Sequence, residues 1–267
     1  MGGRGRTASQ LVRRYADGSS DRRPDRVIVE EPMEIRLDGQ RVTTTMRTPG
    51  HDYELAAGFL FTDGHLAGAP VQQVRYCATG SAADTGFNVV TVDTGGRAPP
   101  PVARLTTTTS SCGWCGTDEI DAVTDRLTPL ASRAGIAAEV LMTVPERVAP
   151  HQELFGAPGG VHAAAAFDGS GELVLVREDI GRHNAVDKVV GRLLLDGSVP
   201  ADGLGLFVSG RTSFEIVQKA WAAGFGTVVA VSAPSSLAIE AARRAGITLA
   251  GFARPGRLNV YTDPDPG

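Results

Sequence analysis

The sequence predicts an α+β fold, with a β-rich N-terminal subdomain followed by an α/β layered C-terminal domain. Three observations carry that prediction. Between residues 26 and 92, short segments rich in β-branched residues alternate polar and apolar side chains, the period of half-buried strands. In the C-terminal half, continuous apolar segments alternate with helical patterns of about ten residues, which implies βαβ units around a largely parallel, buried sheet. Between the two regions, residues 95–101 hold two glycines and three prolines, the composition of a connector.

The bulk numbers agree with this division. A chain of 267 residues accommodates one large or two small domains. Hydrophobic residues at 42% and charged residues at 21% are those of a folded chain and exclude wholesale disorder. The 26 basic and 30 acidic side chains leave a net charge of -4, which excludes a protein built to coat nucleic acid and makes any anion site local. No run of eighteen apolar residues and no secretory segment is seen, so a cytoplasmic protein that does not engage membranes is expected. Three cysteines are too few and too odd for a disulfide framework.

Residues 1 to about 26 carry seven arginines against three aspartates and few large apolar groups, so 1–25 read as a disordered arginine-rich tail. The β-rich subdomain then spans 26–105. Its strands are expected at Arg26–Glu30, Met33–Leu37, Arg41–Met46 and Phe87–Val92, with Asp38-Gly39 as a hairpin signal between the second and third. One helix, Tyr53–Phe61, interrupts them. Residues 106–117 read as a mobile loop carrying Cys112 and Cys115. The α/β domain spans 118–267, with helices at Asp118–Leu130, Ala185–Leu195, Phe214–Ala223 and Leu237–Ala245. Its strands fall at Val161–Phe167, Leu173–Val176, Leu204–Val208, Thr227–Val231 and Ile247–Phe252.

The sharpest local feature is Ser111-Cys112-Gly113-Trp114-Cys115-Gly116. Flanking glycines let backbone amides approach sulfur, and a following helix can aim its positive end at the loop, both of which favour a thiolate. Asp118 and Glu119 oppose this. Four readings compete. A structural zinc site lacks a second ligand pair, although Cys77 and scattered histidines could contribute. A thioredoxin-like dithiol would sit at a strand end in a βαβ unit. Two inert cysteines would lie among apolar neighbours. A thiolate that accepts and passes on sulfur suits an exposed pair best. Cys77, beside Tyr76, reads as a core or loop residue.

Several strand-to-helix junctions in the second half are polar and small. Ser209-Gly210-Arg211-Thr212-Ser213 and Ser232-Ala233-Pro234-Ser235-Ser236 each precede a helix, where free amides and hydroxyl caps make an anion site. Ordinary capping explains either alone. Two on neighbouring strands, one with an arginine suited to bidentate phosphate contact, point to a nucleotide or phosphorylated cofactor. Neither matches a P-loop or a G-x-G-x-x-G fingerprint. The segment from Arg177 to Asn184 concentrates two carboxylates, two arginines and a histidine, and Phe252-Ala253-Arg254-Pro255-Gly256-Arg257 leaves the last apolar strand with two guanidinium groups. His162 could orient a ligand or serve as a structural histidine.

Taken together, the cysteine motif, Glu178 to Lys188, Ser209 to Glu215, Ser232 to Ser236 and Phe252 to Arg257 resemble the FdhD family of formate dehydrogenase accessory sulfurtransferases, over roughly residues 25–262. The resemblance implies a cytidine-deaminase-like second domain and a homodimer. It implies an enzyme that takes persulfide sulfur from a cysteine desulfurase and passes it to the molybdenum or tungsten bis-guanine-dinucleotide cofactor, the bound acceptor, for its client formate dehydrogenase. Cys112 would carry the persulfide and Cys115 would release or tune it. Phe252, Ala253, Arg254, Pro255, Gly256 and Arg257 would bind cofactor, together with Ser209, Gly210, Arg211, Ser213, Ser232, Ser235, His183 and a guanine-reading carboxylate, Asp179 or its neighbour Glu178. No resident metal is expected, and the H-x-E and P-C-x-x-C zinc signature of deaminases is missing. The alternative is a non-catalytic carrier of the molybdopterin cofactor that docks it onto the apo-enzyme.

Overall fold

A computed structural model describes residues 5–77, 82–83, 85–101, 127–131, 135–156 and 158–263. From Thr7 onward, the segment expected to be a disordered tail is instead an antiparallel ribbon, β1 (Thr7–Ala16) paired with β2 (Ser19–Ile28) from end to end. Its turn explains it. Asp17 and Gly18 both have positive φ, the geometry of a type I′ hairpin, and a register of ten facing pairs offsets the polar composition.

The N-terminal sheet has the order β4-β3-β6-β5, from β3 (Glu31–Leu37), β4 (Gln40–Arg47), β5 (Gln73–Tyr76) and β6 (Val89–Asp93). In β3 the alternating Met33, Ile35 and Leu37 are buried, as the period-two pattern requires. The β3–β4 turn is Asp38-Gly39, again with both φ positive. The helix α1 (Asp52–Thr62) covers the apolar face with Leu55, Ala56, Phe59 and Leu60.

The second sheet has the order β12-β11-β10-β9-β7-β8, from β7 (His162–Phe167), β8 (Leu173–Asp179), β9 (Gly205–Val208), β10 (Thr227–Ala230), β11 (Thr248–Arg254) and β12 (Arg257–Thr262). It is mixed rather than largely parallel. Strands β9, β10 and β11 run parallel, while β7, β8 and β12 are antiparallel to their neighbours. Helices α4 (Arg182–Leu195), α5 (Phe214–Ala223) and α6 (Ser236–Ala245) bury one face against Ala164, Ala166, Leu206, Val208, Val228 and Leu249. The intervening residues Ala163, Ala165, Phe167, Phe207, Val229 and Ala250 face α2 (Ala138–Val148) through Leu141, Val144 and Val148. The single turn α3 (Glu153–Gly156) follows α2. Among the described residues, no helix is long and apolar enough to cross a membrane.

The two sheets are joined where α1 crosses α4, at Gly58 and Gly191. A Cβ added at Gly58 would fall 1.9 Å from the Asp187 carbonyl oxygen, and one at Gly191 would fall 1.8 Å from that of Glu54. Charged groups close the same seam. Arg177 grips Glu54 through two guanidinium nitrogens, at 2.5 and 2.9 Å. Burial opposes ionisation of Glu54, but Arg177 and His51 hold its pKa down at about 2. Lys219 bonds to Asp187, Thr62 and Asp63. Burial works against the ammonium, and the carboxylates of Asp187 and Asp63 overcome it, raising the lysine pKa.

Candidate functional site

Strand direction decides which loops meet. Because β9, β10 and β11 are parallel, their carboxyl ends lie on one edge of the sheet, and antiparallel β7 starts there with His162. The junctions after β8, β9, β10 and β11 therefore converge, at the edge where open α/β sheets bind ligands. The turns after β9 and β10 are tied together. Thr212 N donates to the Ala233 carbonyl at 3.2 Å, and Ser235 N to the Thr212 carbonyl at 3.0 Å. Ser209 Oγ accepts from Ala163 N at 2.8 Å and the Ser209 amide donates back to the Ala163 carbonyl, so this hydroxyl fixes the loop.

Positive groups gather around this edge. Gly210 lies against the His162 ring and the Arg182 side chain: a Cβ there would meet His162 Nδ1 at 3.1 Å and Arg182 Cδ at 3.8 Å. Burial, reinforced by Arg182, His183 and Arg211, lowers the His162 pKa despite Asp179, which favours the neutral imidazole. His183 Nε2 lies 2.9 Å from Glu215 Oε2, and Ser213 Oγ donates to the same oxygen at 3.0 Å. Arg211 is exposed. Two buried polar atoms, Arg182 Nε and Thr212 Oγ1, have no hydrogen-bond partner among the described residues. Buried donors are rarely left so. Helices α4 and α5 begin at this edge without a side-chain cap among the described residues, while Ser235 caps α6 through Ala238 N.

Asp179 is not in a position to read a base. Its carboxylate is fully buried and accepts from Thr48 N, Gly181 N and Asn184 Nδ2, at 3.1, 2.8 and 2.9 Å, with Lys188 Nζ at 2.7 Å. Glu178 is likewise committed, accepting from Leu154 N and Phe155 N. The Asp179 carboxylate holds the β8–α4 turn in place, and that of Glu178 ties β8 to turn α3. The segment Phe252–Arg257 also divides. Phe252 takes φ 54° and donates to the Ser232 carbonyl, Ala253 is buried in the core, and Pro255-Gly256 forms the β11–β12 turn. Arg254 and Arg257, paired across it, are exposed and remain available.

Cys112 and Cys115 lie outside the described residues, as does most of the helix expected over 118–130. Its last residues, 127–130, are not helical: Trp221 Nε1 donates to the Thr128 carbonyl and Leu130 N to that of Ala245. Cys77 is buried, with its sulfur 3.2 Å from Thr85 Oγ1. The sequence places Arg182 and Thr212 within the polar junctions without singling out either as a ligand contact. The available signal for Arg182 was its place at the first residue of a helix following a strand, where a guanidinium joins the free amides.

The FdhD/NarQ family model matches residues 28–266. The chain belongs to this family. Its curated FdhD relatives are named sulfur carrier proteins. That of Streptomyces coelicolor is 48% identical, covering 97% of this chain and 95% of the relative. That of Mycolicibacterium paratuberculosis is 46% identical, covering 97% and 98%. A crystal structure assigned to formate dehydrogenase accessory proteins, from Desulfotalea psychrophila, superposes with a TM-score of 0.78 over 97% of this chain and 98% of that one, at 24% identity; it shows a shared fold. The FdhD/NarQ match takes in both sheets and every junction of the cationic edge, and begins at the last residue of β2.

Proposed function

We propose that this FdhD/NarQ protein is a sulfurtransferase for formate dehydrogenase maturation, taking persulfide sulfur from a cysteine desulfurase and delivering it to a molybdenum or tungsten bis-guanine-dinucleotide cofactor held at the cationic edge. The observation that supports the acceptor is the pair of buried atoms without a hydrogen-bond partner among the described residues, Arg182 Nε and Thr212 Oγ1, beside Arg211, His183 and two helix starts. A donor and a hydroxyl kept dry at such an edge fit phosphate oxygens. The sulfur carrier is Cys112, on the strength of its glycine-flanked motif and of the relatives' name.

The chemistry balances without an oxidant on loading. The Cys112 thiolate attacks the outer sulfur of the donor persulfide, the donor S–S bond breaks, and the donor leaves as a thiolate while Cys112 becomes a persulfide. On delivery, Cys115 thiolate attacks the inner sulfur of that persulfide. The terminal sulfur leaves as hydrosulfide to the metal centre, and the two cysteines become a disulfide that a dithiol must reduce before the next cycle. The protein acts in the cytoplasm, where thiols stay reduced.

Two measurements test the two halves. After incubation with a persulfide donor, intact mass should show one added sulfur on the wild type and on Cys115→Ala, and none on Cys112→Ala; sulfur retained on Cys112→Ala would move the carrier site. Arg182→Ala should weaken guanosine diphosphate binding by about tenfold or more, the loss of one charged hydrogen bond, read by calorimetry. Unchanged affinity would remove Arg182 from the ligand contacts. A Cys112→Ala protein that still activates formate dehydrogenase would favour a non-catalytic cofactor carrier.

A further inference from the structure

A strand at the end of a sheet turns alternate main-chain groups away from its neighbour, and the second sheet ends with β8, beside β7. The register says which groups these are. Ser209 N donates to the Ala163 carbonyl and Ala163 N to the Ser209 hydroxyl, so Ala163 directs its main chain at β9, and His162 and Ala164 direct theirs at β8. They face Asp179 and Arg177. The alternate residues Val176 and Glu178 therefore turn their N–H and C=O groups to the open edge. Their carbonyls accept from side chains, Arg177 Nη1 and Lys188 Nζ, in keeping with that direction. Their amides meet no backbone acceptor there among the described residues.

Exposed edges invite another strand, and a cleft of about 320 Å³ runs along this one, from Leu173 to Glu178. Its two walls are anchored by consecutive residues of β8, whose side chains point to opposite faces. Arg177 grips Glu54, which lies 3.4 Å from His51 on one wall, and Glu178 accepts from Leu154 N and Phe155 N beside Glu153 and His151 on the other. At the start of the strand Val174 is 52% exposed. The far end is closed. Thr48 bonds there to Asp179 and Ile180, and Arg6 reaches from wall to wall: a Cβ on Gly50 would lie 3.8 Å from Arg6 Nε, and Arg6 Nη1 is 4.0 Å from Glu153 Oε2. That distance is too long for a hydrogen bond. Arg6 Nε is buried and has no hydrogen-bond partner among the described residues.

We propose that this cleft takes the extended C-terminal tail of a partner protein, added to β8 as a parallel strand with its terminal carboxylate on Arg6. Carbonyls of the tail accept from Val176 N and Glu178 N, the main-chain pairing from which strand addition draws its affinity. The closed end selects a chain terminus, because a segment that ran on past Glu178 would collide with Thr48. A carboxylate is the acceptor that suits the buried guanidinium nitrogen, since charge-assisted hydrogen bonds are roughly twice as strong as neutral ones. Arg177 is already committed to Glu54, which leaves Arg6 as the guanidinium with a donor to give. The inference is independent of the sulfur chemistry.

The test equilibrates the full-length protein with a pool of random hexapeptides, acetylated at the N-terminus and free at the carboxylate, and reads the retained sequences by mass spectrometry. The best retained sequence, resynthesised with a fluorescein label, should bind by anisotropy. Its C-terminal amide should bind about tenfold more weakly or worse, and Arg6→Gln should erase that difference. Val176→Pro removes an outward amide and spares the β7 ladder, so it should weaken the tail by about tenfold or more while guanosine diphosphate binding is unchanged. A measurement without any protein variant guards against misfolding: N-methylation of one alternate set of tail amides should abolish binding and of the other set should spare it, as pairing on one side requires. No retained sequence into the high micromolar range overturns the proposal. So do equal binding of acid and amide, or methylated sets that bind alike. A tail expelled as the protein self-associates would assign the cleft to a second copy and overturn it as well.

Discussion

Replacing Gly191 by alanine should destabilise the protein, against the direction that helix propensity alone would give. In an exposed helix interior, alanine is favoured over glycine by about 1 kcal/mol. Here the added methyl would sit 1.8 Å from the Glu54 carbonyl oxygen and 2.8 Å from the Gly58 amide nitrogen. Backbone cannot turn aside as a flexible side chain can, so α1 and α4 must part. Overpacking costs about 1–3 kcal/mol where cores can adjust, and a cost of about 3 kcal/mol or more is expected at this crossing. Gly58→Ala should behave alike, because its methyl meets the Asp187 carbonyl. Urea unfolding measures the sign directly. A midpoint that rises would mean that the helices do not cross at this pair.

Asp179→Ala should be comparably damaging, and it separates a structural carboxylate from a base-reading one. Lys188 is fully buried and bonds to Asp179 and to the Thr48 and Glu178 carbonyls. Removing the carboxylate leaves that ammonium buried without its counter-charge, at a cost of about 3–5 kcal/mol. At about 2–4 °C per kcal/mol for a chain of this size, melting should fall by roughly 6–20 °C. Lys188→Met combined with Asp179→Leu should recover a good part of the loss, since replacing a buried pair by apolar groups is far milder than breaking it. Were Asp179 a guanine contact, the alanine variant would instead melt near wild type and lose nucleotide selectivity.

Strands β7 to β11 and helices α4, α5 and α6 were legible because each apolar segment is bounded by a clear junction; Phe214–Ala223 matches α5 residue for residue. Strand direction was legible only where helices intervene: the alternation of strand and helix marks β9, β10 and β11 as parallel, and they are. The sheet as a whole is not largely parallel because β7, β8 and β12 join it antiparallel, and an apolar strand without a crossover helix reads alike whichever way it runs. Helix α2 was missed although Val140, Leu141, Val144 and Val148 follow helical spacing, because Pro145 lies inside it and prolines usually end helices. Strand β12 was missed because its residues are largely exposed, which leaves little periodicity to read.

At the site, the sequence showed which junctions are polar but not which polar groups are already engaged. Asp179 and Glu178 looked like ligand carboxylates because nothing local announces Thr48 or Leu154 as their partners. Arg211 and Arg257 keep the availability expected of them, whereas Ala253 turns inward by the alternation of β11.

The bonds that hold the β8–α4 turn have one more consequence. Thr48 donates its amide to Asp179 and its hydroxyl oxygen accepts from Ile180 N, and Asn184 reaches the Met46 carbonyl. The architecture of the cationic edge is therefore held partly by a stretch encoded more than a hundred codons upstream. Chimaeras that graft the back half of one relative onto the front half of another will keep a competent edge where residues 46–48 travel with their companions, and will lose it where they are parted, so the two halves are inherited as a unit.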